Sequence, residues 1–488
     1  MPRLRSSLSL ATLASVLALA LSAPVHAGRL DSPSPAPAVP AAARIVPAKV
    51  EVQPQSVLPY AWHQRTLANG LRVIVIPMPT EGLAAYRTVV RTGARDEYEK
   101  GATGFAHFFE HMMFRGTERF PAEKYGEIVT RMGADSNAYT STDMTVYEFD
   151  IASEDLPTVV EIEADRFMNL DYKQADFKTE AGAVYGEYRK NRSNPFFVLY
   201  EAIHQAAFSR HTYGHTAMGL VEDIKAMPGK YAYSRRFFKR YYRPENCVIV
   251  VAGDVEPEAT FALVEAQYKD WKPGYVAPKV KPEPLQTKAK RLDLEYEGQT
   301  LPKIWIGYKG GAFAPEDRVW VASQVLAELA FGETSDIYRE LILERQVVQG
   351  LGAGGGNDRD PGLWSIYGTV KDPADIDAVI ERIDQTVARY TSELPDPARV
   401  DAVRSHMRYD FLLGLDTSSA VAGELASFIG VADDLHRLDV YYENLVEVTP
   451  EDIQAAAQRW LVESRRTVAV IREAPPARAA ADDTKGTH

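Results

Sequence analysis

The chain has 488 residues, 45% of them hydrophobic and 25% charged, and its 55 Lys and Arg against 67 Asp and Glu leave a formal net charge of −12. That composition excludes a disordered chain, and an acidic balance without a long basic cluster argues against nucleic acid as a partner. The single cysteine, Cys247, excludes intramolecular disulfides, cysteine-rich zinc modules and iron–sulfur clusters, so any metal must be held by histidines and carboxylates.

Arg3 and Arg5 precede an apolar run from Leu8 to Ala23, and Val25-His26-Ala27 offers small residues for cleavage, so residues 1–27 read as a secretory signal peptide. The run is shorter than the ~20 residues a spanning helix needs, so membrane attachment is expected only if this segment stays uncleaved. In a Gram-negative source the mature chain would be periplasmic. Residues 28–59, rich in Pro and Ala, read as a linker.

Asn69-Gly70 before Leu71–Ile76 predicts a β-hairpin at the start of the first domain. A second extended run covers Ala84 to Thr92. Helical residue choice follows in the middle of Gly101–Gly116 and over Lys124–Met132, then a strand-like stretch over Ser136–Ile151. Leu156–Leu170 and Gln174–Lys190 have helical periodicity, and Val248–Val251 reads as a buried strand. Four prolines between Asp270 and Thr287 mark a domain boundary. Phe237–Pro244 running into Val248 has an echo in Ala456–Leu461 running into Thr467, and Gly133 through the helix at Leu156 has another in Gly350–Val379. This duplication predicts two similar α+β domains, residues 60–272 and 289–474, joined by a linker at 273–288 and followed by a tail at 475–488.

The chemistry concentrates in Gly104-Phe-Ala-His107-Phe-Phe-Glu110-His111-Met-Met113. Two histidines four apart on a helix reach one metal ion from one face, and Glu110 beside the second can act on a water without being a ligand. This is the His-x-x-Glu-His order, the inverse of the commoner zinc-protease pattern. A catalytic zinc takes a third protein ligand, and Glu148, Glu161, Glu163, Glu180, Glu187 and Glu201 are all candidates by spacing. Glu180 and Glu187, seven apart, share a helix face. His211-Thr-Tyr-Gly-His215 is a weaker rival pair, and Gly352–Gly356 reads as a flexible loop, since no Gly-Lys-Ser/Thr follows it to make a phosphate cradle.

On these motifs the sequence resembles the pitrilysin/insulinase family of zinc peptidases, the inverzincins, and within it the bacterial proteins similar to mitochondrial processing peptidase. The match runs from about Leu67 to Ile471, with 75 residues between His111 and Glu187. The resemblance implies one Zn²⁺ per chain held by His107, His111 and Glu187, Glu110 as general base, and Glu180 as a supporting acidic residue. It implies that Asn137, Ala138 and Tyr139 lie on an edge strand that pairs with an extended peptide substrate. It further implies that the two domains close like a clamshell, each a mixed β-sheet with helices on one face.

One departure stands out. Ser335–Leu341 matches a family helix, but Ile342 and Gln349 occupy positions where members that act alone carry an Arg and a Tyr that help hold substrate and oxyanion. Some bacterial relatives divide these features between two subunits, so the expected species is a zinc-dependent endopeptidase acting as the metal-bearing subunit of a hetero- or homodimer, with a family member supplying the absent pair. The competing readings are a non-catalytic scaffold or chaperone-like subunit of the same fold, and a metal-dependent hydrolase of non-peptide substrates.

Overall fold

The structure, a computed structural model, describes residues 56–475. The segment read as a signal peptide, most of the Pro/Ala-rich stretch and nearly all of the tail lie outside the described residues. At Asn69-Gly70 the chain turns between β1 (His63–Thr66) and β2 (Arg72–Pro77), which pair antiparallel, with Gly70 at φ 92°. Then come β3 (Leu83–Val90), α1 (Phe105–Met112) and α2 (Ala122–Met132). The stretch expected to be one extended run is a hairpin. β4 (Asp135–Thr140) and β5 (Thr145–Ala152) pair antiparallel, Asp135 opposite Asp150 and Thr140 opposite Thr145, because the polar Ser141-Thr142-Asp143 lets the chain reverse. α3 (Leu156–Asn169), α4 (Gln174–Asn191), α5 (Pro195–Ala207), α6 (Val221–Ala226), α7 (Tyr231–Tyr241), β6 (Cys247–Gly253) and α8 (Pro257–Tyr268) complete the first half.

The proline-rich stretch after Tyr268 has no helix or strand, and the second half opens with β7 (Lys290–Tyr296), β8 (Lys303–Lys309) and α9 (Arg318–Phe331). A short α10 (Asp336–Tyr338) continues as a π-helical turn over Arg339–Glu344. β9 (Val348–Gly355) and β10 (Leu363–Val370) follow, then α11 (Ile376–Ser392), α12 (Pro397–Leu413), α13 (Ser418–Ala432), α14 (His436–Glu447), α15 (Pro450–Trp460) and β11 (Arg466–Glu473). The glycine run read as a loop therefore lies mostly on β9.

The sheets have the orders β1-β2-β6-β3-β5-β4 and β7-β11-β8-β10-β9. Apart from β1 they correspond strand for strand, and each is mixed, with β2 parallel to β6 and β7 parallel to β11. Both sequence echoes fall on matching elements, α7–β6 with α15–β11 and β4–β5–α3 with β9–β10–α11.

The apolar runs on the central strands follow from burial on both faces. Along β2 and β6, Val73, Val75, Ile249 and Val251 pack among the helices of the first half, while Ile74, Ile76, Val248 and Val250 face a core shared with the second half. That second face is covered by α13, through Val421, Ala422, Leu425 and Ile429. The exchange is reciprocal, since Leu199 and Ile203 of α5 pack on Trp305, Ala469 and Ile471 of the second sheet. Each half keeps its own helices on one face of its sheet and receives a helix from the other half on the opposite face, closing the clamshell. Ser56–Leu58, read above as part of a linker, is packed in: Val57 N donates to Asp439 and Leu58 is buried in the shared core.

Candidate metal centre

α1 is held on several sides. Phe105, Ala106, His107, Phe108, Phe109 and Met112 are all buried. Phe109 stacks on Phe237 at 5.4 Å, and Phe108 meets Phe177 of α4 edge-on at 5.0 Å. Gly104, at φ 84°, offers no side chain to the helix start. Glu97 supplies the cap from outside, its two carboxylate oxygens accepting from Gly104 N and Ala106 N at 2.7 Å each. Facing α1, α4 buries Glu180, Val184 and Tyr188 along one stripe, with half-buried Glu187 on the same side.

This docking brings three ligand atoms together. His111 Nε2 lies 3.2 Å from His107 Nε2 and 3.1 Å from Glu187 Oε2, and His107 Nε2 lies 3.4 Å from that oxygen. A tetrahedral zinc with bonds of ~2.0–2.1 Å separates its ligand atoms by about 3.3 Å, so the triangle has the size of one zinc coordination face. Two Nε2 lone pairs facing each other at this distance need a cation between them, and the His/His/carboxylate donor set suits zinc. His111 Nδ1 is 3.0 Å from Glu180 Oε1, which fixes the tautomer that leaves Nε2 free to coordinate. Arg115 Nε donates to Glu180 Oε2 at 2.6 Å and holds that carboxylate in turn.

Burial pushes His107 down to about 4, which keeps it neutral as a ligand must be. Burial also lowers His111, but hydrogen bonds to Glu180 and Glu187 outweigh it and raise the ring to about 10. The same negative well that attracts a proton there attracts a metal cation. Glu110 is pushed up to about 7 by burial, opposed by a hydrogen bond from Thr140 Oγ1 to its Oε2 at 2.6 Å.

The other candidate carboxylates stand apart. Glu148 pairs with Arg87, Glu161 with Arg119, Glu163 with Arg166 and Glu201 with Arg192. His211 bonds Asp360, and His215 Nδ1 bonds the Thr216 carbonyl, so this pair does not converge on a common point. Asn137, Ala138 and Tyr139 lie on β4, one of the two edge strands of the first sheet, with Asn137 exposed and Tyr139 bonded to Ser427 of α13 at 3.1 Å. Ile342 packs against the shared core and Gln349 is exposed on β9. Two contacts escaped the sequence reading, that of Arg115 with Glu180 and that of Thr140 with Glu110. Arg115, four beyond His111, carried a helical-spacing signal. Thr140 carried none.

Fold and site together define a protein of two similar mixed α/β domains with a histidine–carboxylate cluster of a size to hold a metal ion. Residues 72–220 match the family model described as insulinase (peptidase family M16), and residues 231–407 match that of the peptidase M16 inactive domain. The zinc protease PqqE of Helicobacter pylori is 26% identical over 415 residues, spanning 83% of this chain and 92% of that protein. The mitochondrial-processing peptidase subunit beta of Lentinula edodes is 25% identical over 418 residues, 81% of this chain and 86% of that one. A solved protease structure from Helicobacter pylori superposes with a TM-score of 0.79 at 26% identity, covering 85% of this chain and all of the other. The chain belongs to the insulinase family, peptidase family M16.

Proposed function

We propose that this protein is a zinc-dependent endopeptidase, with one Zn²⁺ held by His107, His111 and Glu187 and with Glu110 as general base. The convergence of three candidate ligand atoms, two of them on the helix that also carries Glu110, carries this reading. Zinc bound there supplies a Lewis acid that polarises a peptide carbonyl and acidifies water. The unpaired edge of β4 accepts an extended peptide by strand addition along Asn137, Ala138 and Tyr139. Glu110, oriented by Thr140, takes the proton from the attacking water and returns it to the leaving nitrogen. Glu180 and Arg115 keep His111 in the coordinating tautomer.

Ile342 and Gln349 provide neither guanidinium nor phenol to an oxyanion. One missing donor costs ~10²–10³ in rate. With a relative whose name is that of a subunit, this favours a dimer in which a second family member supplies the missing groups. The N-terminal sequence favours export, to the periplasm in a Gram-negative cell, with the two domains divided at residues 273–288. No helix among the described residues is long and apolar enough to cross a membrane.

The test is cleavage of an unstructured peptide pool by the zinc-loaded chain beside Glu110→Gln and His107→Ala, with zinc measured in each. Glu110→Gln is expected to keep its zinc and lose turnover, and His107→Ala to lose zinc. Normal turnover in Glu110→Gln would overturn the assignment of the base, and full zinc in His107→Ala would move the metal elsewhere.

A further inference from the structure

α7 differs sharply between its two sides. Tyr233, Phe237 and Tyr241 are buried on the inner side, and Phe237 stacks on Phe109 of α1 at 5.4 Å. The outer side carries Ala232, Arg235, Arg236 and Lys239, with Arg243 just past the helix end, at intervals of three or four residues that make one stripe. Arg240 flanks the stripe, its guanidinium 5.6 Å from the exposed ring of Tyr98. Arg243 donates to the Lys272 carbonyl at 3.3 Å, so exposed Lys272 extends the row beyond α8. Residues 224–244 hold seven Lys and Arg and no Asp or Glu, in a chain whose net charge is −12.

Two of these cations are neutralised, Arg235 by Asp171 at 2.8 Å and Arg240 by Glu99 at 2.5 Å. Arg236, Lys239, Arg243 and Lys272 have no ion pair among the described residues, and the guanidiniums of Arg236 and Arg243 bond backbone carbonyls alone. Unpaired like charges in a row concentrate positive potential on this face. A protein partner is held by a desolvated core rich in aromatic side chains and poor in lysine. The outer stripe of α7 has the opposite make-up, with no large apolar side chain between its cations. A lipid surface asks only for charge, since its phosphates move laterally to meet each cation, and a tyrosine at the rim suits the headgroup level.

We infer that the outer face of α7 docks on a bilayer rich in anionic phospholipid, with Arg236, Lys239, Arg243 and Lys272 against the phosphates. This goes beyond the peptidase reading and does not depend on it. Attachment by this face needs neither a spanning helix nor a retained signal segment. α1 packs on the inner side of α7, so the docked face is turned away from the helix that carries His107, Glu110 and His111.

The experiment is co-sedimentation of the chain, purified without residues 1–27, with vesicles of phosphatidylcholine alone or mixed with phosphatidylglycerol. The chain is expected to sediment with the mixed vesicles only, and to be released as ionic strength rises from about 0.05 M to about 0.5 M. Arg236→Glu combined with Lys239→Glu should weaken binding at least about tenfold, and the neutral pair Arg236→Gln with Lys239→Gln should weaken it less, in the same direction. Arg131→Glu with Arg408→Glu changes the net charge equally on the exposed surfaces of α2 and α12, and should leave binding within about twofold. Thermal melting followed by circular dichroism establishes that each variant is folded. Sedimentation with neither vesicle, equal sedimentation with both, or an equal loss in the two charge-reversed pairs would overturn the inference. Labelled polyglutamate, titrated by anisotropy, tests the competing occupant. Binding to it without binding to the mixed vesicles would assign the row to an acidic protein and overturn the lipid reading.

Discussion

Glu180 stands outside the proposed ligand triangle, yet it decides which nitrogen of His111 faces His107 and Glu187. Its Oε1 holds His111 Nδ1 at 3.0 Å while Arg115 anchors Oε2, so the ring is fixed through a carboxylate that is itself fixed. Removing such an outer partner typically lowers metal affinity ~10–100-fold. Glu180→Gln is expected to fall in that range and Arg115→Ala below it, read by competition with a chromophoric zinc chelator. Unchanged affinity in Glu180→Gln would mean that packing alone orients the ring. The two histidines and Glu110 were legible from spacing, because all three lie on one short helix. The third proposed ligand was not. Six carboxylates remained open until the family resemblance pointed to Glu187, since a seven-residue spacing shows which residues share a face but not which helix that face meets. Thr140 was out of reach altogether, because its bond to Glu110 joins a strand to a helix 30 residues away.

Among the elements, α1 depends on a cap that its own sequence lacks. Glu97 accepts from two backbone N–H groups at the helix start while almost fully buried. Glu97→Ala leaves those donors without partners and is expected to cost about 1–2 kcal/mol. Denaturant unfolding would measure the loss, and hydrogen exchange should speed up at the first-turn amides of α1, with a weaker hold on zinc because both histidines ride on this helix. Exchange unchanged in α1 would show that the aromatic packing suffices. Element type was readable wherever periodicity was strong, as for α3, α4 and β6. It failed at two places for identifiable reasons. The turn at Ser141–Met144 is flanked by β-branched and aromatic residues on both sides, so the hairpin read as one strand. The glycines of β9 lack β propensity, and only pairing with β10, Gly354 opposite Ser365 and Gly352 opposite Tyr367, makes them a strand.

At the scale of the whole molecule, the duplicated halves were visible in the two sequence echoes, but the exchange of α5 and α13 was not, since a helix's apolar face does not say whose sheet it covers. The halves are also joined by charge. Asp360, in the loop after β9, receives Arg95 Nε at 2.7 Å and His211 Nε2 at 2.9 Å, both from the first half. Arg359 N donates to Asp143 and Asp360 N to the Tyr213 hydroxyl beside them. Burial alone would raise the Asp360 carboxyl, but the bonds from His211 and Arg95 hold it down at about 2. An aspartate in the unfolded chain titrates near ~3.9. The folded value lies below the unfolded one, so this latch contributes its full stability above about pH 4 and loses it as pH falls towards 2. Asp360→Asn is expected to lower the unfolding free energy by about 1–2 kcal/mol at pH 6. The gap between parent and variant should narrow steadily from about pH 4 to pH 3 in urea titrations. A gap that stays constant across that interval would place the stabilisation in the neutral hydrogen bonds of the loop, and one that widens would reverse the sign argued for the carboxylate.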